Sequence, residues 1–157
     1  MPEFIDGLPL HALVVHFVVV MLPLSVLGAV VIAVWPAARR RFGWLVVAAA
    51  GVSALAVPIA ANSGKELANR IPRDELIARH EELGESLVWW AVPLFIVVLG
   101  FMVLHTKLQQ PATVITVVAA VVTVGIAVGT GVMTYRVGDA GARSVWGEVE
   151  NIPARNG

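Results

Sequence analysis

The chain has 157 residues, 58% of them hydrophobic and 14% charged, with 11 basic and 11 acidic side chains and a formal net charge of +0. Soluble domains are about half apolar and about a quarter charged, so this composition, with a mean hydropathy of +0.83, belongs to a protein that lives in lipid. Balanced charge, with no basic tract longer than Arg39-Arg40-Arg41, argues against nucleic acid as a partner; the absence of cysteine excludes disulfides, thiolate metal sites and covalent c-type haem attachment.

Residues 1–7 carry Glu3 and Asp6 and no Lys or Arg, unlike the basic start of a signal peptide, so the first apolar run is expected to stay in the mature protein. Four apolar segments follow, each close to the about 20 residues that a bilayer requires. Helix 1 is expected over about 9–35, helix 2 over about 42–61, helix 3 over about 73–105 and helix 4 over about 112–135, with a tail at 136–157. Strands are poor candidates, because a lone apolar strand leaves its backbone unsatisfied in lipid. Pro23, Pro58 and Pro93 fall inside spans, which membrane helices accept as kinks. The expected fold is all-α: one integral membrane four-helix bundle over residues 1–157, with helix 3 projecting beyond the outer face. That projection rests on Pro72 followed by Arg73-Asp74-Glu75, which reads as a helix start; an extension from there to the lipid would stand on the order of 15–20 Å tall.

The connection between helices 1 and 2 carries three arginines and no acid, and the one between helices 3 and 4 carries Lys107 and no acid. All 11 acidic residues lie on the other side. The positive-inside rule therefore predicts a multi-pass protein of the bacterial inner membrane with both termini outside. Trp35 and Trp44 bracket the arginines, as interfacial anchors do.

Three of the four histidines then share the outer end: His11, His16 and His80. Imidazole is a good ligand for haem iron and transition metals, and ionisable groups at membrane depth suggest function. His16 lies inside an apolar stretch between Val14-Val15 and Phe17-Val18, where a neutral imidazole needs partners. His80 shares a helical stripe with Leu76, Leu83, Gly84 and Leu87, while Arg79, Glu81, Glu82 and Glu85 point elsewhere. Gly84, one turn below His80, removes a side chain where a flat macrocycle or another helix could approach. His11 and His16 stand about 140° apart on an ideal helix, so both address one site only if His11 precedes regular helix. His11 reads as an interfacial histidine or a supporting group, and His105 as a solvated helix end at the inner face. The plain alternative for each is a packed histidine bonded to a carbonyl or a threonine.

Thr116, Thr123 and Thr130 recur at seven-residue intervals in helix 4, close to the face of Ala120, Ala127 and Thr134, and Gly125-x-x-x-Gly129 accompanies them. Such small-residue patterns let membrane helices pack tightly. There is no phosphate-cradling glycine loop, nucleophile elbow or H-E-x-x-H pair. No pair of acids lies within a span, so proton-coupled transport has little support.

The opening Gly7-Leu8-Pro9-Leu10-His11-Ala12-Leu13-Val14-Val15-His16-Phe17 resembles a bacterial family of four-span membrane proteins known only as a domain of unknown function, whose members begin Leu-His-Pro-x-Leu-Val-His-Phe-Pro. The resemblance extends to Ser63-Gly64, His80-Glu81-x-x-Gly84 and Arg136-Val137-Gly138-Asp139-Ala140-Gly141-Ala142. Some members are fused to Rieske iron–sulfur domains, which implies a redox setting and haem b in the bundle. The chain departs from the pattern at Ala12 and Val18, where the family has proline, and at Asp139, where it often has histidine. Val145-Trp146 also replaces the family's Val-Tyr. The resemblance thus implies a single outer haem between helices 1 and 3, with His16 and His80 as axial ligands and quinol or an outer-face redox protein as partner. Such a protein is an electron carrier rather than a stand-alone enzyme. The alternative is a non-catalytic accessory subunit of a larger membrane complex, with structural histidines or a metal ion held by His11, His16, His80 and a nearby acid.

Overall fold

A computed structural model describes residues 4–5, 7–70, 72, 74–107 and 113–147. Phe4–Ile5 (β1) pairs antiparallel with Leu8–Pro9 (β2) in a minimal hairpin, with Gly7 at φ +80° in its turn. The rest is helical: α1 spans Leu10–Val34, α2 Pro36–Ala68, α3 Glu75–Ser86, α4 Val88–Lys107 and α5 Thr113–Trp146. Leu87 between α3 and α4 keeps helical dihedrals, φ −63° and ψ −27°, so the two form one rod with Pro93 inside it. Four of these helical lengths are long and apolar enough to cross a membrane.

Around the bundle the order is α1, α2, α4, α5, with α1 closing on α5 and α3 packed against α5 and α2. Apolar side chains cover the outside, as at Leu27, Leu55 and Val121, where lipid replaces water as the solvent. Inside are Leu22, Ile32, Leu94 and Val98 together with small hydroxyls. Ser25 and Ser53 bond the carbonyls of Met21 and Ala49 one turn back and meet each other at 3.2 Å across α1 and α2. Thr123 bonds Ala119 O, while Thr130 is shared between Ile126 O and Trp90 O of α4. The expected threonine stripe therefore lines the core, with Thr123, Ala127 and Thr130 all buried. Of the two glycines in the Gly125-x-x-x-Gly129 pattern, only Gly129 is a close approach: a Cβ there would run into the Trp90 ring, whereas one at Gly125 meets nothing within 4 Å.

Three boundaries differ from the sequence reading, the first being that α2 runs on to Ala68 rather than ending near residue 61. α2 begins at Pro36 rather than near residue 42, because proline is pre-organised for the first helical position and pushes the residue before it out of helix. Trp35, at φ −119° and ψ 100°, is the entire connection, and the three arginines lie in the opening turns of α2. α5 runs on through the expected tail to Trp146, supported by an i, i+4 bridge from Arg143 Nε to Asp139 Oδ2 at 2.8 Å.

Candidate functional site

Each of the two seated histidines at the α1 N-terminal end leans on a neighbouring helix. His11 donates from Nδ1 to Ala60 O of α2 at 3.0 Å, a carbonyl that also accepts from Ser63 Oγ. His80 donates from Nδ1 to Val137 O of α5 at 3.1 Å. A carbonyl can only accept, so each ring carries a proton on Nδ1, and in the neutral tautomer the lone pair is on Nε2. The ring centroids are 6.3 Å apart with planes at 75°.

A glycine lies beneath each imidazole. A Cβ on Gly64 of α2 would stand 3.0 Å from Cε1 of His11, and one on Gly141 of α5 would stand 2.9 Å from Cε1 of His80. Ser63-Gly64 and the Arg136-to-Ala142 segment, distant in sequence, are the seats of the two rings. Gly84 has no such part, since a Cβ there would meet nothing within 4 Å. An ion pair between Lys65 and Glu85 at 2.7 Å ties α2 to α3 nearby; both side chains are half exposed, so it contributes little beyond alignment.

The structure does not seat His16 beside His11 and His80. His16 is exposed on the outer face of α1 and bonds the Ala12 carbonyl of its own helix. Helix begins at Leu10, so His11 is already in regular helix and the five-residue spacing turns His16 away from the face that His11 occupies.

His105 is not a solvated end either. Its Nδ1 donates to Phe101 O at 2.8 Å, its Nε2 accepts from Arg39 Nη1 at 2.6 Å, and its ring meets Phe101 edge-on at 4.5 Å. The Arg39 guanidinium lies 4.8 Å over the same Phe101 ring and is only 7% exposed. Both bonds require a neutral His105 protonated on Nδ1. The sequence reading missed this cluster at the opposite end of the bundle.

Among the described residues no group of three or more His, Asp or Glu could hold a metal ion. Among the described residues these two imidazoles are fewer than the three or four protein ligands that a zinc site takes. They suffice for haem, whose macrocycle brings four nitrogens of its own.

Fold and site together define a four-span, all-helical membrane protein with a pair of carbonyl-anchored histidines at one end. Residues 7–150 match the family described as "Predicted membrane protein (DUF2231)", and the chain belongs to that family. No curated protein and no solved structure matches it.

Proposed function

We propose that the chain is a haem b-binding electron carrier of the bacterial inner membrane, with His11 and His80 as axial ligands near the outer face. The observation that carries this reading is the His11–His80 pair itself. Both Nδ1 atoms are held by backbone carbonyls, neither Nε2 has a hydrogen-bond partner among the described residues, and the centroids lie 6.3 Å apart. Iron- or zinc-type bonds to imidazole are about 2.0–2.1 Å, which puts two rings on opposite sides of one ion roughly 6 Å apart, centroid to centroid. Carbonyl bonds to the non-ligating nitrogen are the usual means of fixing a ligand imidazole and raising its basicity.

Bound haem would supply a one-electron couple, and two imidazoles would saturate its iron and favour electron transfer over oxygen chemistry. The protein's part is to orient. Ala60 O and Val137 O fix the tautomers, while Gly64 and Gly141 set how deep each ring sits. Quinol from the membrane or an outer-face redox protein would exchange the electron. Arg39, Arg40, Arg41 and Lys107, with no acid among them, support the orientation with the histidine end outside.

The test is an absorption spectrum of the purified protein with and without dithionite. A Soret band that shifts on reduction, lost in His11→Ala and in His80→Ala and kept in His16→Ala, is the expected result. A colourless, fully folded protein after expression with ample haem would refute the reading and favour an accessory subunit whose histidine pair is packing.

A further inference from the structure

Beyond the histidine pair, α3 and the last turns of α5 enclose a cavity of about 350 Å³, within the range of small-ligand sites. Among the described residues three arginines line it, Arg79 from α3 and Arg136 and Arg143 from α5, against one carboxylate, Asp139. Asp139 is engaged by Arg143 at 2.8 Å, whereas Arg79 and Arg136 join no ion pair among the described residues. The remaining walls include Leu76 and Leu83, so a basic mouth meets an apolar flank.

Its depth is set by the sequence. Arg136 is the first charge of α5 after an uncharged run from Thr113, close to the about 20 residues that cross a bilayer. Tyr135 and, on α4, Trp89 are 75% and 80% exposed and mark the interfacial level on two helices. Arg136, one residue past Tyr135, therefore stands at the interfacial level of the lipid phosphates, with Arg79 and Arg143 farther out along α3 and α5. Guanidinium forks suit phosphate oxygens, which they bind in bidentate fashion.

We infer that this cavity between α3 and α5 binds the phosphate group of an anionic phospholipid, with the acyl chains running down past Leu83. The site is separate from the histidine pair and does not rest on haem.

The test is native mass spectrometry of the full-length protein in detergent, titrated with phosphatidylglycerol, with phosphatidylcholine, and with phosphatidylglycerol in excess inorganic phosphate. Preferential retention of phosphatidylglycerol is expected, unaffected by inorganic phosphate. The double variant Arg79→Gln/Arg136→Gln should weaken retention roughly 30-fold. Asp139→Asn should strengthen it about fivefold by removing a negative charge from the lining; a variant that merely misfolds cannot gain affinity. Equal retention of the two lipids, or unchanged retention in the double variant, would overturn the site. Displacement of the lipid by inorganic phosphate would overturn the lipid as its ligand.

Discussion

Gly141 lies under the His80 imidazole so closely that a Cβ would stand 2.9 Å from its Cε1. A methyl there forces the ring to move, yet it also replaces glycine with a better helix former, worth about 1 kcal/mol in a helix interior. Gly141→Ala is therefore expected to leave unfolding in detergent nearly unchanged while displacing His80 from Val137 O. The measurement is the haem spectrum beside the melting curve. A low-spin spectrum identical to that of the parent protein would show that the glycine is not the seat of the ring.

Gly125 and Gly129 share one sequence pattern and should respond in opposite senses. Gly129→Ala drives a methyl into the Trp90 ring, and overpacking of this kind costs about 1–3 kcal/mol. Gly125→Ala meets open space and should stabilise by up to about 1 kcal/mol. Thermal or denaturant unfolding of the two variants, side by side, decides the matter.

The Ser25–Ser53 contact should be weak although both residues are fully buried. Each hydroxyl has a single proton, and each is already placed to donate to a carbonyl of its own helix. Only one of the two can turn its proton to the other at any moment. A double-mutant cycle through Ser25→Ala and Ser53→Ala should give a coupling of about 0.6 kcal/mol or less, the average for such pairs in membranes. A coupling well above about 1.7 kcal/mol would mean that the cross-helix bond dominates.

At the opposite end, Arg39 has a neutral imidazole as its hydrogen-bond acceptor and Phe101 as its platform. Replacing His105 with alanine removes the acceptor and strands a nearly buried guanidinium. His105→Ala should cost about 1–3 kcal/mol, and His105→Gln, which can still offer an oxygen, should recover part of it. If the two variants are equally stable, the Arg39 bond contributes nothing.

Topology can be read from engineered thiols because the natural chain has none. Ala37→Cys, at an exposed position beside Trp35, should be protected from an impermeant reagent in intact cells, and Asn69→Cys should label. The reverse pattern would put the histidine pair in the cytoplasm.

The spans were legible because twenty-residue apolar runs leave little choice, and the threonine stripe because a seven-residue repeat keeps one helical face. The histidine pair was harder. Whether His11 or His16 faces the bundle depends on the residue at which helix begins, and Leu10 decides it. Periodicity cannot fix that start in a segment apolar on every side. Ser63-Gly64 and Gly141 carried the missing signal: a glycine beside an imidazole is a seat, but sequence does not say which ring sits on which glycine. The Arg39–His105 bond, joining residues 66 apart, was hidden for a similar reason. The Trp35-Pro36 break carried a local signal that the expected start near residue 42 overlooked, since proline both restrains the residue before it and opens a helix.

The two halves of the histidine pair are finished at different moments in the life of the chain. His11, Ala60 and Gly64 all belong to the first two helices, which the single residue Trp35 folds back on each other. His80 waits for Val137 and Gly141, which lie in the closing turns of α5. Synthesis delivers the N-terminal end first, so one imidazole is docked while the other still lacks its anchor. A ribosome that stops short of Val137 releases a chain with every uncharged span of the full bundle and only half of its paired site.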